Sequence, residues 1–201
     1  MIEQTEQIYK ILTLLFGTGA AGATLKYFIE RRKTKRMETE KTILTYENLL
    51  SNLLLTRKTF VYQGEKRNEL VMAILRNHKE IQISDFKTSD GRVKFDEFFG
   101  KNYPILNEKQ LEEFKFIRGM NDTLVEYNSR VKDILSKNLS LTLEVPKLHD
   151  LLDHINIWLV KYNTEFKNNQ KQCLVYVGPK GKPFPKNVEN DIKMKIEELK
   201  K

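Results

Sequence analysis

The first apolar stretch of the chain runs from Ile8 to Ile29, and its only charged residues are Lys10 and Lys26. A helix over this stretch measures about 33 Å, whereas the hydrocarbon core of a bilayer is about 30 Å thick. Each lysine lies near one end of the stretch, where its ammonium group can reach the headgroup layer, and aromatic residues lie beside it. The pattern therefore predicts a single transmembrane helix over residues 8–29.

The charges on either side of this stretch predict its orientation. Residues 1–7 contain two acidic residues and no basic one, whereas residues 26–36 contain six basic residues and one acidic residue. Because basic residues stay on the cytoplasmic side, we expect residues 1–7 outside and the rest of the chain inside, at the plasma membrane. The basic juxtamembrane stretch, residues 30–36, carries Arg31, Arg32, Lys33, Lys35 and Arg36.

Small residues in the predicted transmembrane helix have the spacing that lets two helices approach closely in lipid. They are Thr18, Gly19, Gly22 and Ala23. The alternatives for this stretch are a helix buried in a protein core, an amphipathic helix at the membrane surface, and a secretory signal. The acidic amino end argues against a signal, and apolar residues on all sides argue against a surface helix.

After residue 36, apolar residues recur at helical spacing through most of the chain. The spacing predicts four helices, at residues 37–61, 65–79, 108–137 and 146–168. Tyr62-Gln63-Gly64 is predicted to end the first of them. Amphipathic helices joined by modest connections favour an antiparallel bundle over residues 37–168. The expected fold class is therefore mainly α.

Two of these helices have sharper signals. Asn107 is the expected cap of the third helix, and Pro146 begins the fourth. In the fourth helix the apolar residues step by four and three positions, as in a helix packed lengthwise on others. The predicted seam residues are Leu148, Leu152, Ile155, Leu159, Tyr162 and Phe166.

The carboxyl-terminal segment, residues 169–201, has a different pattern. Residues 173–177 (CLVYV) favour a short strand, and glycines and prolines follow them. Residues 80–84 (EIQIS) are the candidate partner of this strand in a small β ribbon. A last, mostly charged helix is predicted from about residue 187 to the end.

The net charge of +8 is concentrated in two blocks. Residues 26–36 and residues 166–188 contribute +5 each, so the remaining residues sum to −2. The bases of the second block are Lys167, Lys171, Lys180, Lys182 and Lys186. We expect a solvated surface here, with contact to anionic membrane lipid as the next interpretation and nucleic acid as the least favoured partner. The single cysteine, Cys173, excludes an intrachain disulfide and fits the cytoplasm.

Residues 86–98, FKTSDGRVKFDEF, resemble an EF-hand calcium loop over this short stretch alone. With Gly91 at the sharp turn, Asp90 and Glu97 occupy two of the ligand positions. The first ligand position holds a phenylalanine, however, and two lysines add charge that repels a cation. We therefore expect a turn followed by a short helix, and no metal.

A second group of candidate ligands lies at the start of the fourth helix. His149 and Asp153 are four residues apart, as are Asp150 and His154, so each pair shares one side of the helix. Such pairs supply metal ligands, or a carboxylate that orients an imidazole. The simpler interpretation is a helix start that favours acidic residues, with both pairs at the solvent edge of the seam.

Residues that perform catalysis are scarce, with three histidines, one cysteine and no glycine-rich phosphate loop or nucleophile elbow. We therefore predict a non-enzyme without a cofactor, and the Lys- and Asn-rich composition favours a bacterial source. The favoured function is a single-pass, membrane-anchored module that recruits or regulates a protein partner, with a homo-oligomer left open. One alternative is an effector that assembles through its Gly/Ala-rich helix and disrupts the bilayer. The other is a basic nucleic-acid-binding protein.

Overall fold

The structure, a computed structural model, describes residues 7, 10, 20–87, 89, 91, 93–161 and 184–201. These residues form six α-helices: α1 Ala20–Asn77, α2 Phe95–Asn102, α3 Glu108–Lys137, α4 Ser140–Glu144, α5 Lys147–Lys161 and α6 Val188–Leu199. Two 3-10 helices, Ile83–Phe86 and Tyr103–Ile105, lie between α1 and α3. The predicted fold class, mainly α, is confirmed for this part of the chain.

The chain divides into two compact units. Unit 1 comprises Met1–Glu47 and Ile196–Lys201, and unit 2 comprises Asn48–Lys195. In unit 1, Tyr46 and Ile196 are buried, and Lys200 Nζ lies 3.1 Å from Glu47 Oε1. The surfaces considered below for binding a partner protein belong to unit 2.

Helix α1 runs without interruption through Tyr62-Gln63-Gly64, so the helix end predicted there is wrong. The predicted helices at 37–61 and 65–79 are parts of this one helix. A glycine inside a helix costs about 1 kcal/mol, which burial of neighbouring side chains outweighs. Gln63 is fully buried at this point of the helix, so α1 is held by packing on both sides of Gly64.

The buried positions of α1 and α3 repeat at steps of three, four and seven residues, and polar residues interrupt both rows. In unit 2, the buried row of α1 comprises Leu49, Leu53, Thr56, Gln63, Arg67, Leu70 and Ile74. The row of α3 comprises Gln110, Ile117, Asn121, Leu124, Asn128, Val131 and Leu135. The side-chain nitrogen of Gln63 joins the two rows, because it donates to Ile117 O and to Asn121 Oδ1, each at 2.9 Å.

A cluster of aromatic and aliphatic side chains closes the carboxyl-terminal end of α1. Its buried members are Leu70, Val71, Ile74, Phe86, Phe98, Phe99 and Ile117. The rings of Phe86 and Phe98 meet edge to face, with centroids 5.1 Å apart. The short helices between α1 and α3 therefore fold around this cluster.

The predicted pairing of residues 80–84 as a strand is wrong. Residues 81 and 82 have no regular structure, and Ile83–Phe86 is a 3-10 helix. This turn buries Phe86 in the aromatic cluster, where its side chain is 5% exposed. An extended strand with an edge open for pairing would not bury Phe86 in this way. The predicted strand at 173–177 lies outside the described residues.

The prediction for the third helix is confirmed. Helix α3 begins at Glu108 after Asn107, whose Oδ1 accepts a hydrogen bond from Gln110 N at 2.9 Å. Gln110 Oε1 accepts in turn from Asn107 N at 3.1 Å, which completes a capping box. The predicted last helix is also confirmed, as α6. The sequence pattern missed α4, because five residues are too few to show a helical period.

Helix α5 begins directly after Pro146 as predicted, and its buried side is wider than the predicted seam. The predicted seam residues Leu148, Ile155 and Leu159 are buried, whereas Leu152 is half-buried. Leu151 and Trp158, outside the predicted seam, are fully buried as well. Helix α5 packs against α3 and α4. The described part of α5 ends at residue 161, so Tyr162 and Phe166 lie outside the described residues.

Most of the predicted transmembrane helix lies outside the described residues, which cover only residue 10 and residues 20–29 of it, and residues 20–29 form the start of α1. Among the helices that the structure describes, none is both long enough and apolar enough to cross a membrane. The described residues therefore give the transmembrane prediction no support.

The continuity of α1 predicts the effect of filling its glycine. A Cβ at Gly64 meets no atom within 4 Å, and the same holds for Gly119 in α3. We expect Gly64→Ala and Gly119→Ala each to raise the free energy of unfolding by about 0.5–1 kcal/mol, measured by urea denaturation. Gly91→Ala is the control, because Gly91 has a φ of 80° and alanine there costs about 1 kcal/mol. Destabilisation by Gly64→Ala would contradict an uninterrupted α1.

Candidate interaction surface

The predicted calcium-loop residues do not come together as a cation site. Glu97 Oε2 lies 3.1 Å from Lys94 Nζ, and Phe86, at the first ligand position, is part of the aromatic cluster. Asp90 lies outside the described residues. Among the residues that the structure describes, no group of three His, Cys, Asp or Glu side chains is placed to hold a metal ion. The expected short helix is present as α2.

The histidine and aspartate pairs of α5 were expected together at the solvent edge, and for His154 this is wrong. His154 is fully buried, and its ring meets that of Phe184 edge to face at 5.4 Å. His149 and Asp150 are exposed, and Asp153 is half-buried. The buried side of α5 extends beyond the predicted seam to Leu151 and Trp158, and His154 lies between these two residues on the helix.

The third histidine, His78, follows α1 and pairs with an acid close by in the sequence. His78 Nδ1 lies 3.0 Å from Glu80 Oε1. A backbone hydrogen bond and this contact with His78 hold the pKa of Glu80 below its usual value. His78 and Glu80 are two residues apart in the sequence and Glu80 is exposed, so we interpret the pair as a surface contact.

The basic stretch of residues 30–36 is helical, and all five of its bases are exposed on α1. Arg36 Nε lies 2.9 Å from Glu40 Oε1. Of the second basic block, Lys186 is described and exposed, while Lys167, Lys171, Lys180 and Lys182 lie outside the described residues. Thr18 and Gly19 also lie outside them, and Gly22 and Ala23 belong to the first turn of α1.

A row of apolar residues that was not predicted is exposed on α1. Leu54 and Val61 are seven residues apart, as are Leu55 and Tyr62, so these four side chains lie on one side of the helix. Their exposed fractions are 40% for Leu54, 40% for Leu55, 49% for Val61 and 44% for Tyr62. At about 100° per residue, this side is opposite the buried row that contains Leu53. We call these four residues the outer face.

Charged residues lie within and beside the outer face. Lys58 is exposed between its two apolar pairs. At one end, Lys66 Nζ lies 5.7 Å from the ring centroid of Tyr62 and donates a hydrogen bond to Glu69 Oε2 at 2.6 Å. This hydrogen bond to Glu69 raises the pKa of Lys66, which stays protonated at neutral pH. The outer face is therefore an apolar strip with fixed charge at its edge.

The sequence pattern alone does not identify the outer face. Leu54, Leu55, Val61 and Tyr62 are apolar residues beyond those that one buried stripe needs, but a wider buried stripe accounts for extra apolar residues equally well.

An open cleft of about 490 Å³ lies between α3 and α5. Val125, Leu159 and Val160 give it an apolar wall, and polar side chains complete it. One of these, Asp133, is paired with Lys137 at 2.7 Å. The cleft brings together neither a nucleophile with a base nor a metal-binding group.

Comparison with models of protein families, with curated proteins and with solved structures finds no match. The chemistry of the surfaces described above therefore carries the functional proposals.

Two neighbouring leucines test the assignment of the outer face. Leu53 is 1% exposed and Leu55 is 40% exposed. We expect Leu53→Ala to lower the free energy of unfolding by about 2–5 kcal/mol and Leu55→Ala to change it by less than about 0.5 kcal/mol. Urea denaturation of the two variants measures the difference. Equal destabilisation would show that the outer face is covered within the fold.

Proposed function

We propose that this protein is a non-catalytic helical interaction module, which is anchored in a membrane by residues 8–29 and recruits a partner protein through the outer face of α1. The observation that carries the proposal is the exposure of four large apolar side chains, 40–49% each, opposite a complete buried row on the same helix. Contiguous exposed apolar residues on a soluble surface are typical of protein-binding sites.

The composition of the outer face fits a protein partner. Tyr62 supplies a large ring with a polar end, which is the kind of residue that carries binding energy in interfaces. Leu54, Leu55 and Val61 surround it with aliphatic contact area, and the Lys66–Glu69 pair supplies a polar rim. A helix of the partner lying along this strip would cover all four apolar residues.

The start of α1 supports contact with lipid. Tyr27 and Phe28 are 58% and 56% exposed, and they lie directly before the basic stretch of residues 30–36. Exposed aromatic residues next to bases are typical of the membrane interface, where each base contributes about 1 kcal/mol of attraction to anionic lipid. With the proposed span at residues 8–29, these bases favour an orientation with the amino end outside and the proposed antiparallel helical bundle on the cytoplasmic side.

Vesicle binding tests the membrane part of the proposal. We expect full-length protein to sediment with anionic vesicles and to resist extraction by alkaline carbonate. Reversing Arg31, Arg32 and Lys33 to glutamate should weaken partition onto anionic vesicles by about five-fold per base, since each base contributes about 1 kcal/mol. Reversing the exposed Lys109 and Lys115 of α3 is the control and should have no such effect. Release of the wild type by carbonate would rule out the span.

Affinity capture tests the partner part. Full-length protein with a carboxyl-terminal tag, solubilised from membranes, is compared with the double variant Leu55→Ser/Tyr62→Ser. We expect the partner bound by the wild type to fall by about ten-fold or more in the variant, because each lost apolar contact weakens an interface by 1 kcal/mol or more. Leu139→Ser/Leu143→Ser is the matched control, because these leucines are 61% and 84% exposed elsewhere. An equal loss in both variants would contradict the outer face as the site.

A further inference from the structure

Helix α6 is held in unit 2 by ion pairs to three different helices. Glu189 Oε2 lies 2.8 Å from Arg57 Nη1 of α1, and Asp191 Oδ2 lies 2.7 Å from Lys147 Nζ of α5. Lys195 Nζ lies 3.5 Å from Glu144 Oε2 of α4. Other ion pairs of unit 2, such as Lys66 with Glu69, join residues one turn apart in the same helix.

In the part of α6 that belongs to unit 2, residues 188–195, the buried side lies between Glu189 and Asp191. Val188 and Ile192, one turn apart, are 1% and 0% exposed, whereas Met194 is 72% exposed. At about 100° per residue, Glu189 lies on one edge of this apolar stripe and Asp191 on the other. The groove that holds α6 therefore has a base on each wall, Arg57 on α1 and Lys147 on α5.

Helix α6 is suited to leave this groove without unfolding the rest of unit 2. It has 12 residues, and a helix of that length is marginal in water without a packing partner. Residues 162–187 separate it from α5 in the sequence. Its charged contacts are at least partly exposed, with 60% of the Arg57 side chain accessible, so salt weakens them.

We propose that α6 is a detachable latch, and that the groove beneath it is a docking site for an amphipathic helix of a partner protein. The helix that fits has two apolar residues one turn apart with an acid on each side of them, which is the pattern that α6 itself presents. The partner helix takes the place of α6. The observations behind this site are separate from those behind the outer face, so either proposal stands if the other fails.

Charge reversal in the full-length chain tests the latch, with hydrogen exchange of the amides of residues 188–195 as the readout. In Glu189→Lys/Asp191→Lys, two attractive pairs become repulsive, and we expect exchange in α6 to rise by about ten-fold or more. Exchange in α3 should stay unchanged, which shows that the core remains folded. Adding Arg57→Glu and Lys147→Glu to this variant restores opposite charges and should restore slow exchange. Unchanged exchange in the double variant, or no recovery in the fourfold variant, would overturn the latch.

A peptide tests the docking site. The probe is a labelled synthetic peptide of residues 184–199, titrated into full-length wild type and into full-length Glu189→Lys/Asp191→Lys, whose basic walls are intact. We expect the peptide to bind the double variant at least about ten-fold more tightly, because its own α6 no longer competes. A peptide with the same two lysines should bind neither chain. Equal affinity for both chains, or no binding to the double variant, would overturn the docking site.

Discussion

The side-chain amide of Gln63, buried between α1 and α3, is the contact that fixes how these two helices meet. A buried amide nitrogen costs several kcal/mol unless it is hydrogen-bonded, and Gln63 Nε2 donates to Ile117 O and Asn121 Oδ1. A slip of α1 by one turn would remove the amide from both acceptors, so the bonds select one register, as a polar residue does in a coiled coil. That register turns Leu53 inward, and the side of α1 with Leu55 therefore faces outward.

Two other buried polar residues of these rows do not have this effect. Thr56 Oγ1 donates to Asn52 O at 2.8 Å, and Asn128 Nδ2 donates to Leu124 O at 2.7 Å. Each of these bonds reaches back one turn of its own helix, so it would survive a change of partner or register. They let polar side chains be buried at small cost, whereas the Gln63 contact crosses between helices and specifies the packing.

The sequence predicted those elements whose signals are local. The Asn107–Gln110 capping box and the apolar period of α3 lie within one stretch of chain, and the structure reproduces the predicted helix. The predictions were wrong where contacts between residues distant in the sequence determine the local structure. Gly64 does not end α1, because contacts from α3 hold Gln63 beside it. His154 is buried, because the packing of α5 covers Leu151, His154 and Trp158 in addition to the expected seam residues Leu148, Ile155 and Leu159. Residues 80–84 turn rather than extend, because the aromatic cluster takes up Phe86.

The candidate surfaces also differ in whether local sequence or distant contacts determine them. The basic stretch of residues 30–36 is evident in the sequence as a block of charge, and the exposure of its side chains can be predicted without knowing the tertiary contacts. The outer face was hidden in the sequence, because an apolar residue on α1 carries no mark of the side it will face. The sequence gives no indication of the groove under α6, because Arg57, Glu144 and Lys147 come from three helices and come together only in the folded protein.

The two proposed docking sites share an edge on α1, and Arg57 lies at that edge. Arg57 is three residues from Leu54 and four from Val61, so it lies beside both on the helix surface. The same side chain holds Glu189 of the latch at 2.8 Å. A partner that covers Leu54 and Val61 would bury the Arg57–Glu189 pair further from water, which changes the stability of α6 in its groove. By linkage, any such change is reciprocal, so release of α6 would alter the affinity of the outer face by the same factor.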